Sequence, residues 1–383
     1  MNEILVPEYP FHSDPVIPVI DCIEAITVSL PFVTPFSTSS YTWNSKDALL
    51  IKLSAGKISG WGECVADPDP FYSPETTASS LYIIRNFILP LLTLGKLLSQ
   101  FLTDVKKIRG NYMAKAAVEN ALLDLITRML GIPLCNFLGY KPKRIMSGIS
   151  IGIQENTTEL LSKVSEAVDA GYHRIKIKIK RGNDIDMVDA VRNRFPLIQL
   201  MVDANGDYTL KDTEHLKKLD EYQLLMIEQP LSYSDIYLHS LLQRELDTPL
   251  CLDESIHSLE DTITALELGS CRIINIKEGR VGGLAESLRI VNYCRSKGIP
   301  VWSGGMDETG IGRAFNLHLQ TVSGFTLPGD TSETKRYFAE DIVYPPVILD
   351  ADGFIKIPEG PGTGVTVLQD SVDKFTLARE VLA

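Results

Sequence analysis

The second part of the chain repeats one pattern, in which a short apolar run ends in a polar residue and an amphipathic stretch follows. Five successive runs end at Lys178, Asp203, Glu228, Asp253 and Lys277, which are 25, 25, 25 and 24 residues apart. The same interval reaches back to a run at 147–153 and forward to runs at 300–303 and 326–327. The pattern therefore consists of eight units.

The stretches between the runs have the periodicity of helices. After the first unit, apolar side chains recur at helical spacing from Leu160 to Val168, between the capping residue Asn156 and Gly171. Strands that alternate with helices are parallel, and eight such units close into a barrel. The sequence therefore predicts an α/β fold with a TIM-like (β/α) barrel. In such barrels the functional groups lie at the carboxyl ends of the strands, where these polar residues lie.

The chain before residue 147 has a different pattern. Strand-like segments at 20–29, 47–54 and 57–63 are joined in part by a loop at 35–46 that is rich in Ser and Thr. Two helical stretches follow, at 74–98 and 115–130. This part of the chain is therefore predicted to be an α+β lobe.

Four parts of the chain follow from these patterns. Residues 1–19 are a polar extension with several prolines, and residues 20–146 form the α+β lobe. The barrel is expected over residues 147–335. Residues 336–383 are rich in turns, and we expect them to return to the α+β lobe.

Composition and charge exclude several classes of partner. The formal net charge of −12 disfavours nucleic acid and an anionic membrane surface. The six cysteines form no CxxC pair, and we interpret them as free thiols in a reducing compartment. The first ten residues lack a basic start followed by an apolar run, and the apolar stretch 81–98 is interrupted by charged residues and a proline. We therefore expect a cytoplasmic protein.

Three acidic residues, Asp203, Glu228 and Asp253, end three successive predicted strands. A barrel gathers their carboxylates into one concave site, where they repel one another unless a cation neutralises them. Taken singly, each acid is typical of a helix cap or a loop end. Three in register instead predict a metal site, and an all-oxygen donor set suits Mg²⁺, with Mn²⁺ or another divalent ion as alternatives.

Residues 174–180 alternate basic side chains with isoleucine. An exposed edge strand guarded by lysines has the same alternation. A strand of a parallel barrel is covered on both faces, so the isoleucines are expected to pack against helices while Lys176 and Lys178 face the site. Lys277 ends the sixth strand, half a turn of the barrel from Lys178. We therefore expect these two lysines on opposite sides of the site.

Lysines and a divalent cation suit the removal of a proton from the carbon next to a carboxylate. The conjugate base is an enediolate with two negative oxygens, and a divalent cation stabilises that charge. A lysine with its unperturbed pKa of about 10.4 is a poor base near neutral pH, and a neighbouring ammonium group with partial desolvation favours the neutral amine. Lys178 is the predicted base, and Lys176 is its neighbouring ammonium group.

Short motifs surround these residues between about residue 20 and residue 368. They are Gly60-Trp61-Gly62-Glu63, Lys176-Ile177-Lys178, Val202-Asp203-Ala204-Asn205, Ile227-Glu228-Gln229-Pro230, Leu252-Asp253-Glu254-Ser255, Asn275-Ile276-Lys277 and Gly279-Arg280-Val281-Gly282-Gly283. Together they resemble the enolase superfamily, and more closely its o-succinylbenzoate synthase and N-acylamino acid racemase group. A lysine or histidine base with magnesium is a known arrangement in that superfamily.

The resemblance implies a role for each residue. Asp203, Glu228 and Asp253 would bind Mg²⁺, Lys178 would be the base that Lys176 adjusts, and Lys277 would face the other side of the substrate. The remaining implied residues are Asn205 and Glu254 in support, and Ser150, Gly304, Gly305, Met306 and Glu308 on the substrate side.

The α+β lobe would be a capping domain whose loops at 36–41 and 65–71 close over the substrate. One departure from the family pattern is Asp307, because an uncharged residue usually occupies that position. The shape or charge of that part of the pocket is therefore open.

The family carries out at least two reactions through one enediolate. We predict a magnesium-dependent o-succinylbenzoate synthase, a lyase of menaquinone biosynthesis, with a small-molecule carboxylate as substrate. The alternative is an N-succinylamino acid racemase in which Lys178 and Lys277 act as opposed bases, and one protein could have both activities. A minor alternative from another class is a metal-binding scaffold without catalysis. We also expect a homo-oligomer.

Overall fold

A computed structural model describes residues 6–37 and 41–383 of the protein. Residues 1–5 of the predicted extension and residues 38–40 of the predicted capping loop lie outside the described residues. Within the described ranges, no helix is long and apolar enough to cross a membrane.

The first part of the chain forms an antiparallel sheet with helices packed on it. Its elements are β1 (Cys22–Ser37), β2 (Thr42–Ala55), β3 (Ile58–Cys64), α1 (Thr77–Ile83), α2 (Leu98–Lys106), α3 (Tyr112–Met129) and α4 (Leu134–Phe137). β1 pairs with β2 as far as Ser37 and Thr42, so the prediction of a loop at 35–46 is wrong over most of its length. Pro31 and Pro35 lack amide donors, and here they accompany a register irregularity rather than the end of the strand.

The second part of the chain alternates strands and helices. Its elements are β4 (Arg144–Met146), β5 (Gly148–Ile151), α5 (Thr157–Asp169), β6 (Arg174–Lys178), α6 (Ile185–Arg194), β7 (Gln199–Asp203), α7 (Thr213–Leu216), β8 (Ile227–Glu228), α8 (Tyr237–Glu245), β9 (Leu250–Leu252), α9 (Leu259–Leu268), β10 (Ile273–Ile276), α10 (Glu278–Val281), α11 (Leu284–Ser296), β11 (Val301–Ser303), α12 (Gly310–Leu319), α13 (Thr334–Tyr337), β12 (Val343–Tyr344), β13 (Phe354–Lys356), β14 (Thr366–Val367), α14 (Gln369–Phe375) and β15 (Thr376–Val381). Strands β5 to β11 form one parallel sheet in chain order. The predicted barrel-type α/β fold with a separate α+β lobe is confirmed.

The eighth predicted unit is not a regular strand. The segment 325–330 makes single parallel bridges, one to β11 through Val301 and Phe325 and one next to β5 through Ser147 and Gly329. The amide of Gly148 donates to the carbonyl of Gly329 at 2.7 Å. Pro328 lacks a donor and interrupts the ladder there. The segment still fills the gap between β11 and β5, so the curled sheet is closed by irregular backbone.

Side chains alternate between the inside and the outside of the curled sheet. Ile175 and Ile177 of β6 belong to the large core that contains the surrounding helices. A separate apolar cluster lies inside the sheet and consists of Met201, Met226, Cys251, Ile273 and Trp302. Four of these residues lie two positions before a polar residue at the carboxyl end of their strand: Met201 before Asp203, Met226 before Glu228, Cys251 before Asp253 and Ile273 before Asn275. The cluster therefore forms the floor below those polar residues.

Both ends of the described chain pack on the α+β lobe, which we call the capping lobe. β15 pairs antiparallel with β1, from Glu24 opposite Val381 to Val28 opposite Thr376, and is the edge strand of the order β15-β1-β2-β3. In the N-terminal stretch, Ile17 donates its amide to the carbonyl of Lys96 at 2.9 Å. Phe11 and Ile17 are buried in the core as well, so the described part of the extension packs on the lobe.

Two glycines let β3 lie directly on α3. A Cβ atom at Gly62 would lie 2.0 Å from the carbonyl oxygen of Ala117, and one at Gly60 would lie 2.3 Å from that of Ala121. Both atoms of the helix are backbone, so neither neighbour can turn away. This close approach determines where the end of β3 meets the barrel.

We expect Gly62→Ala to reduce the free energy of unfolding by about 1–3 kcal/mol or more, because the added methyl group overlaps helix backbone. Urea denaturation measures the change. Lys57→Ala, at an exposed position just before the same strand, is the control and should stay within about 0.5 kcal/mol of wild type. Wild-type stability of Gly62→Ala would contradict the packing described for β3.

Candidate active site

The barrel strands bring the predicted acids and lysines to one end of the sheet. Lys178 lies opposite Asp203, and Asp203 lies opposite Glu228. Glu228 pairs with Cys251, however, so Asp253 lies two residues further along and is not level with the other two acids. Barrel strands are staggered, and a shift of two residues keeps a side chain on the same face. All three acids therefore point to the inside.

Lys176 and Lys178 contact these acids directly. The Nζ atom of Lys176 lies 3.0 Å from Glu228 Oε2 and 3.3 Å from Asp203 Oδ2. Lys178 donates from Nζ to Asp203 Oδ2 at 2.6 Å. The alternation thus belongs over residues 174–178 to a covered barrel strand with its basic side chains inward, and not to an exposed edge strand. Lys180 lies beyond the end of the strand and is exposed.

These contacts set the charge states of the buried groups. Burial disfavours the ammonium form of Lys176, but three nearby carboxylates, Asp330 foremost, outweigh burial and raise its pKa. Burial also opposes ionisation of Asp203, yet Lys178 and Lys176 lower the pKa of that carboxyl. Burial and then the charge of Asp203 raise the pKa of Glu228. Lys176 is therefore a permanent cation beside an ionised Asp203.

Lys277 enters the same cavity from β10, four strands away from β6. Its Nζ atom lies 2.9 Å from Asp253 Oδ2 and donates to the hydroxyl of Tyr72 at 3.0 Å. Burial disfavours its ammonium form, but Tyr72 and Glu254 outweigh burial and raise the pKa of Lys277. Lys178 and Lys277 therefore line one cavity from two sides.

Asn205 and Glu254 continue the network beyond Lys178. Lys178 Nζ donates to Asn205 Oδ1 at 2.6 Å, and Asn205 Nδ2 donates to Glu254 Oε1 at 2.8 Å. Asn205 has a positive φ of 44°, a conformation that asparagine tolerates better than most residues. This backbone turn brings its amide group between the lysine and the acid.

Three further residues of the barrel contact this network and escaped the sequence analysis. Asp330 lies 2.7 Å from the Nζ atom of Lys176, Asn275 donates to Glu228 Oε1 at 2.7 Å, and Arg280 is paired with Asp253. Asn275 and Arg280 belong to the motifs Asn275-Ile276-Lys277 and Gly279-Arg280-Val281-Gly282-Gly283, so the sequence could have indicated both residues. Asp330 is the last residue of the irregular segment 325–330, where no strand period points to it.

The predicted substrate-side residues differ in their exposure to the cavity. Ser150, Gly305 and Met306 line it, and Ser150 Oγ is buried without a hydrogen-bond partner in the described part of the chain. Gly304 lies against Asn275, since an added Cβ would approach its Oδ1 to 2.4 Å.

Glu308 lies behind the loop rather than on the cavity wall. Its carboxylate is buried and accepts a hydrogen bond from Asn316 Nδ2 in α12 at 2.9 Å. The residues of the loop that reach the cavity are Gly305, Met306 and Asp307.

The capping lobe supplies the opposite wall of the cavity. Phe36, Tyr41 and Asp67, from the two predicted capping loops, line it, whereas Phe71 is mostly exposed. Lys46, which the sequence analysis did not select, donates to Asp67 Oδ1 at 3.1 Å. The wall is thus aromatic with one buried ion pair.

Asp307, the departure from the family pattern, lines the cavity near this ion pair. Its backbone has a positive φ of 53°. Burial raises the pKa of Asp307, although the charge of Lys46 acts in the opposite direction.

Asp203, Glu228 and Asp253, the acid trio, suit a hard divalent cation for two reasons. Their ligand atoms are carboxylate oxygens, and all three side chains point to the inside of the barrel. Asp203, Glu228 and Asp253 offer only carboxylate oxygens, and Asp253 Oδ2 is buried without a donor in hydrogen-bond geometry among the described residues, although Lys277 lies at ion-pair distance. Between residues 6 and 37 and between 41 and 383, no group of three or more His, Cys, Asp or Glu side chains is close enough to hold a metal as it stands. The acids are held by lysine and arginine contacts.

Comparison with known proteins gives consistent results over almost the whole chain. Residues 22–139 match the "Mandelate racemase / muconate lactonizing enzyme, N-terminal domain" family, and residues 159–371 match "Enolase C-terminal domain-like". The chain is 46% identical to an o-succinylbenzoate synthase of Geobacillus kaustophilus, over 89% of this chain and 92% of that protein. It is 43% identical to an N-succinylamino acid racemase of Thermus thermophilus, over 94% and 97%.

Solved structures agree with these relatives. A member of the enolase superfamily from Listeria innocua superimposes with a TM-score of 0.90 at 42% identity, covering 95% of this chain and 99% of that one. Fold, family matches and relatives all coincide, so this chain belongs to the enolase superfamily.

Proposed function

We propose that the protein is an o-succinylbenzoate synthase that abstracts a proton next to a carboxylate and eliminates water. The observation that carries the proposal is the cavity lined by Lys178 and Lys277 beside three inward carboxylates. The relatives at 42–46% identity that are named o-succinylbenzoate synthases support the choice of reaction.

Lys178 is the proposed base. It takes the α-proton of the substrate on one face and returns it to the departing hydroxyl, so that the C–H and C–O bonds break and water leaves. Its hydrogen bonds to Asp203 and Asn205 orient the Nζ atom toward the cavity. Lys277, on the other side, places a positive charge against the carboxylate as negative charge develops on it.

Asp203, Glu228 and Asp253 would hold a divalent cation, which we propose to be Mg²⁺. When bound, it supplies positive charge that stabilises the enediolate. Lys176 remains outside the reaction and contributes a permanent charge beside Asp203 and Glu228. Arg280 orients Asp253 through their ion pair.

Racemisation of N-succinylamino acids is the second candidate. The position of Lys277 on the cavity favours it, because a second amine facing the first can reprotonate the opposite face of the enediolate. The N-succinylamino acid racemases of Thermus thermophilus and Amycolatopsis, at 43% and 41% identity, support the same candidate. Both reactions use one site, so one protein can carry out both.

Three broader assignments remain part of this proposal. We place the enzyme in the cytoplasm and in menaquinone biosynthesis, and we expect a homo-oligomer. The domain limits at residues 20, 147 and 336 also stay predictions.

The first test replaces each lysine. Lys178→Ala should lower kcat by about 10²–10⁴-fold for dehydration and for racemisation, because a general base is lost. Lys277→Ala should stop racemisation, while Lys178 still exchanges the α-proton of one enantiomer with deuterium from solvent. Rates come from a spectrophotometric assay and from ¹H NMR.

Lys163→Ala, at an exposed position of α5, is the control and should leave both rates unchanged. A Lys178→Ala variant with wild-type secondary structure and full activity would refute the role of Lys178 as the base.

The second test concerns the cation. Treatment with EDTA should abolish turnover, and added Mg²⁺ should restore it. Asp253→Asn should weaken Mg²⁺ binding by at least about tenfold in titration calorimetry, since a charged oxygen donor is replaced by a neutral one. Asp189→Asn, on the exposed face of α6, should bind Mg²⁺ like wild type. Unchanged Mg²⁺ affinity in Asp253→Asn would remove this acid from the metal site.

The third test chooses between the two reactions. Purified protein with Mg²⁺ is assayed separately with the cyclohexadiene precursor of o-succinylbenzoate and with N-succinylamino acids. The proposal expects turnover of the cyclohexadiene substrate. Racemisation without dehydration would favour the second candidate, and turnover of neither substrate would overturn both.

A further inference from the structure

Glu63, at the end of β3 in the capping lobe, makes three hydrogen bonds to the barrel. Its Oε1 atom accepts from the amide of Thr309 at 3.0 Å. Its Oε2 atom accepts from the hydroxyl of Thr309 at 2.6 Å and from the amide of Gly312 at 2.9 Å. The side chain is buried, at 1% exposure. A buried carboxylate with three donors of this kind is satisfied only while the lobe and the barrel are docked.

The three donors belong to the first turn of α12, directly after the loop that lines the cavity. Thr309 caps that helix, and two residues before it Asp307 holds a positive φ of 53°. A backbone in this region persists only where its surroundings determine it. The hydrogen bonds that Glu63 accepts hold Thr309, where the loop enters the helix. They therefore limit where Gly305, Met306 and Asp307 can lie.

Glu63 also lies just before the segment of the capping lobe that forms the opposite wall of the cavity. The chain leaves β3 at Cys64 and reaches Asp67 and Tyr72, which line the cavity from the capping lobe. Tyr72 accepts a hydrogen bond from Lys277 at 3.0 Å. One carboxylate therefore ties together two segments that face each other across the cavity.

Substitution of Gly312 is restricted by the same contact. A Cβ atom there would lie 2.8 Å from Glu308 Cβ and 3.0 Å from Glu63 Oε2. The first turn of α12 thus has no side chain between its amides and the carboxylate.

We propose that Glu63 is a positioning residue that holds the loop 304–308 against the capping lobe and thereby determines how well the cavity fits its substrate. It touches neither the lysines nor the acid trio in the described contacts. Its loss should therefore act on substrate binding more than on the proton transfer. The kinetic part of this inference rests on the proposed function.

Glu63→Gln is the main variant. In glutamine an NH₂ group replaces one of the two carboxylate oxygens. This group donates hydrogen bonds and cannot accept one, so at least one of the three buried donors loses its partner. We expect kcat/KM to fall by about 10- to 100-fold, carried mainly by KM, because the loop is displaced while the reacting groups stay in place.

Glu119→Gln is the matched control. Glu119 is also a buried glutamate of the capping lobe that accepts from the start of a barrel helix, through the amide of Ala285 at 2.7 Å. The first turn of that helix, α11, contributes no residue to the lining of the cavity. Glu119→Gln should therefore leave KM within about twofold of wild type, even if it changes the melting temperature.

A second pair of variants covers the case in which Glu63→Gln does not fold. Thr309→Val removes the hydroxyl that donates to Glu63, whereas Thr309→Ser keeps it. Thr309→Val should raise KM, whereas Thr309→Ser should have a KM close to that of wild type. A merely structural role of Glu63 would instead lower the melting temperature of these variants without separating their KM values.

Hydrogen–deuterium exchange gives a readout that needs no turnover. Amides of residues 304–312 should exchange faster in Glu63→Gln and in Thr309→Val than in wild type, Glu119→Gln or Thr309→Ser. Unchanged exchange in this segment together with unchanged KM would overturn the proposal. If wild type turns over neither substrate while the exchange differs as expected, the proposed function fails and the positioning role of Glu63 stands.

Discussion

The pairing of buried ammonium groups with buried carboxylates is the constraint on which the site depends. Lys176 lies among Asp203, Glu228 and Asp330 with almost no exposure to solvent. Each of these charges alone would be strongly destabilising inside a barrel, and removal of one partner leaves another uncompensated. The strands must therefore deliver the whole set together. The apolar cluster below and the outward aliphatic side chains of the same strands hold that set in place.

The strand period made much of this set predictable. Five polar residues at almost equal spacing mark the carboxyl ends of the strands, and the alternation around Lys176 assigns the lysines to the inside. The sequence did not predict that Asp253 lies two residues beyond the level of Asp203 and Glu228. The stagger between strands depends on how the sheet closes and not on spacing along the chain. Asp330 was not predicted for a related reason, because it lies at the end of the irregular segment 325–330, which has no strand period.

The capping lobe was harder to predict than the barrel. Its wall of the cavity includes Lys46 and Tyr72, which carry no motif and reach the site only because the capping lobe packs against the barrel. The long hairpin of β1 and β2 was misjudged because prolines and polar residues there are typical of loops. Glu63 belongs to a recognised motif, but its hydrogen bonds to Thr309 cross 246 residues of chain. Such contacts follow from tertiary structure alone.

Diffraction can test the position of a bound cation directly. Crystals of the protein soaked with Mn²⁺, in place of Mg²⁺, give an anomalous signal at the position of the ion. We predict one strong peak among the carboxylates of Asp203, Glu228 and Asp253, with the amines of Lys178 and Lys277 on either side of the adjoining cavity. A peak elsewhere, or a lysine of this pair directed away from the cavity, would contradict the account.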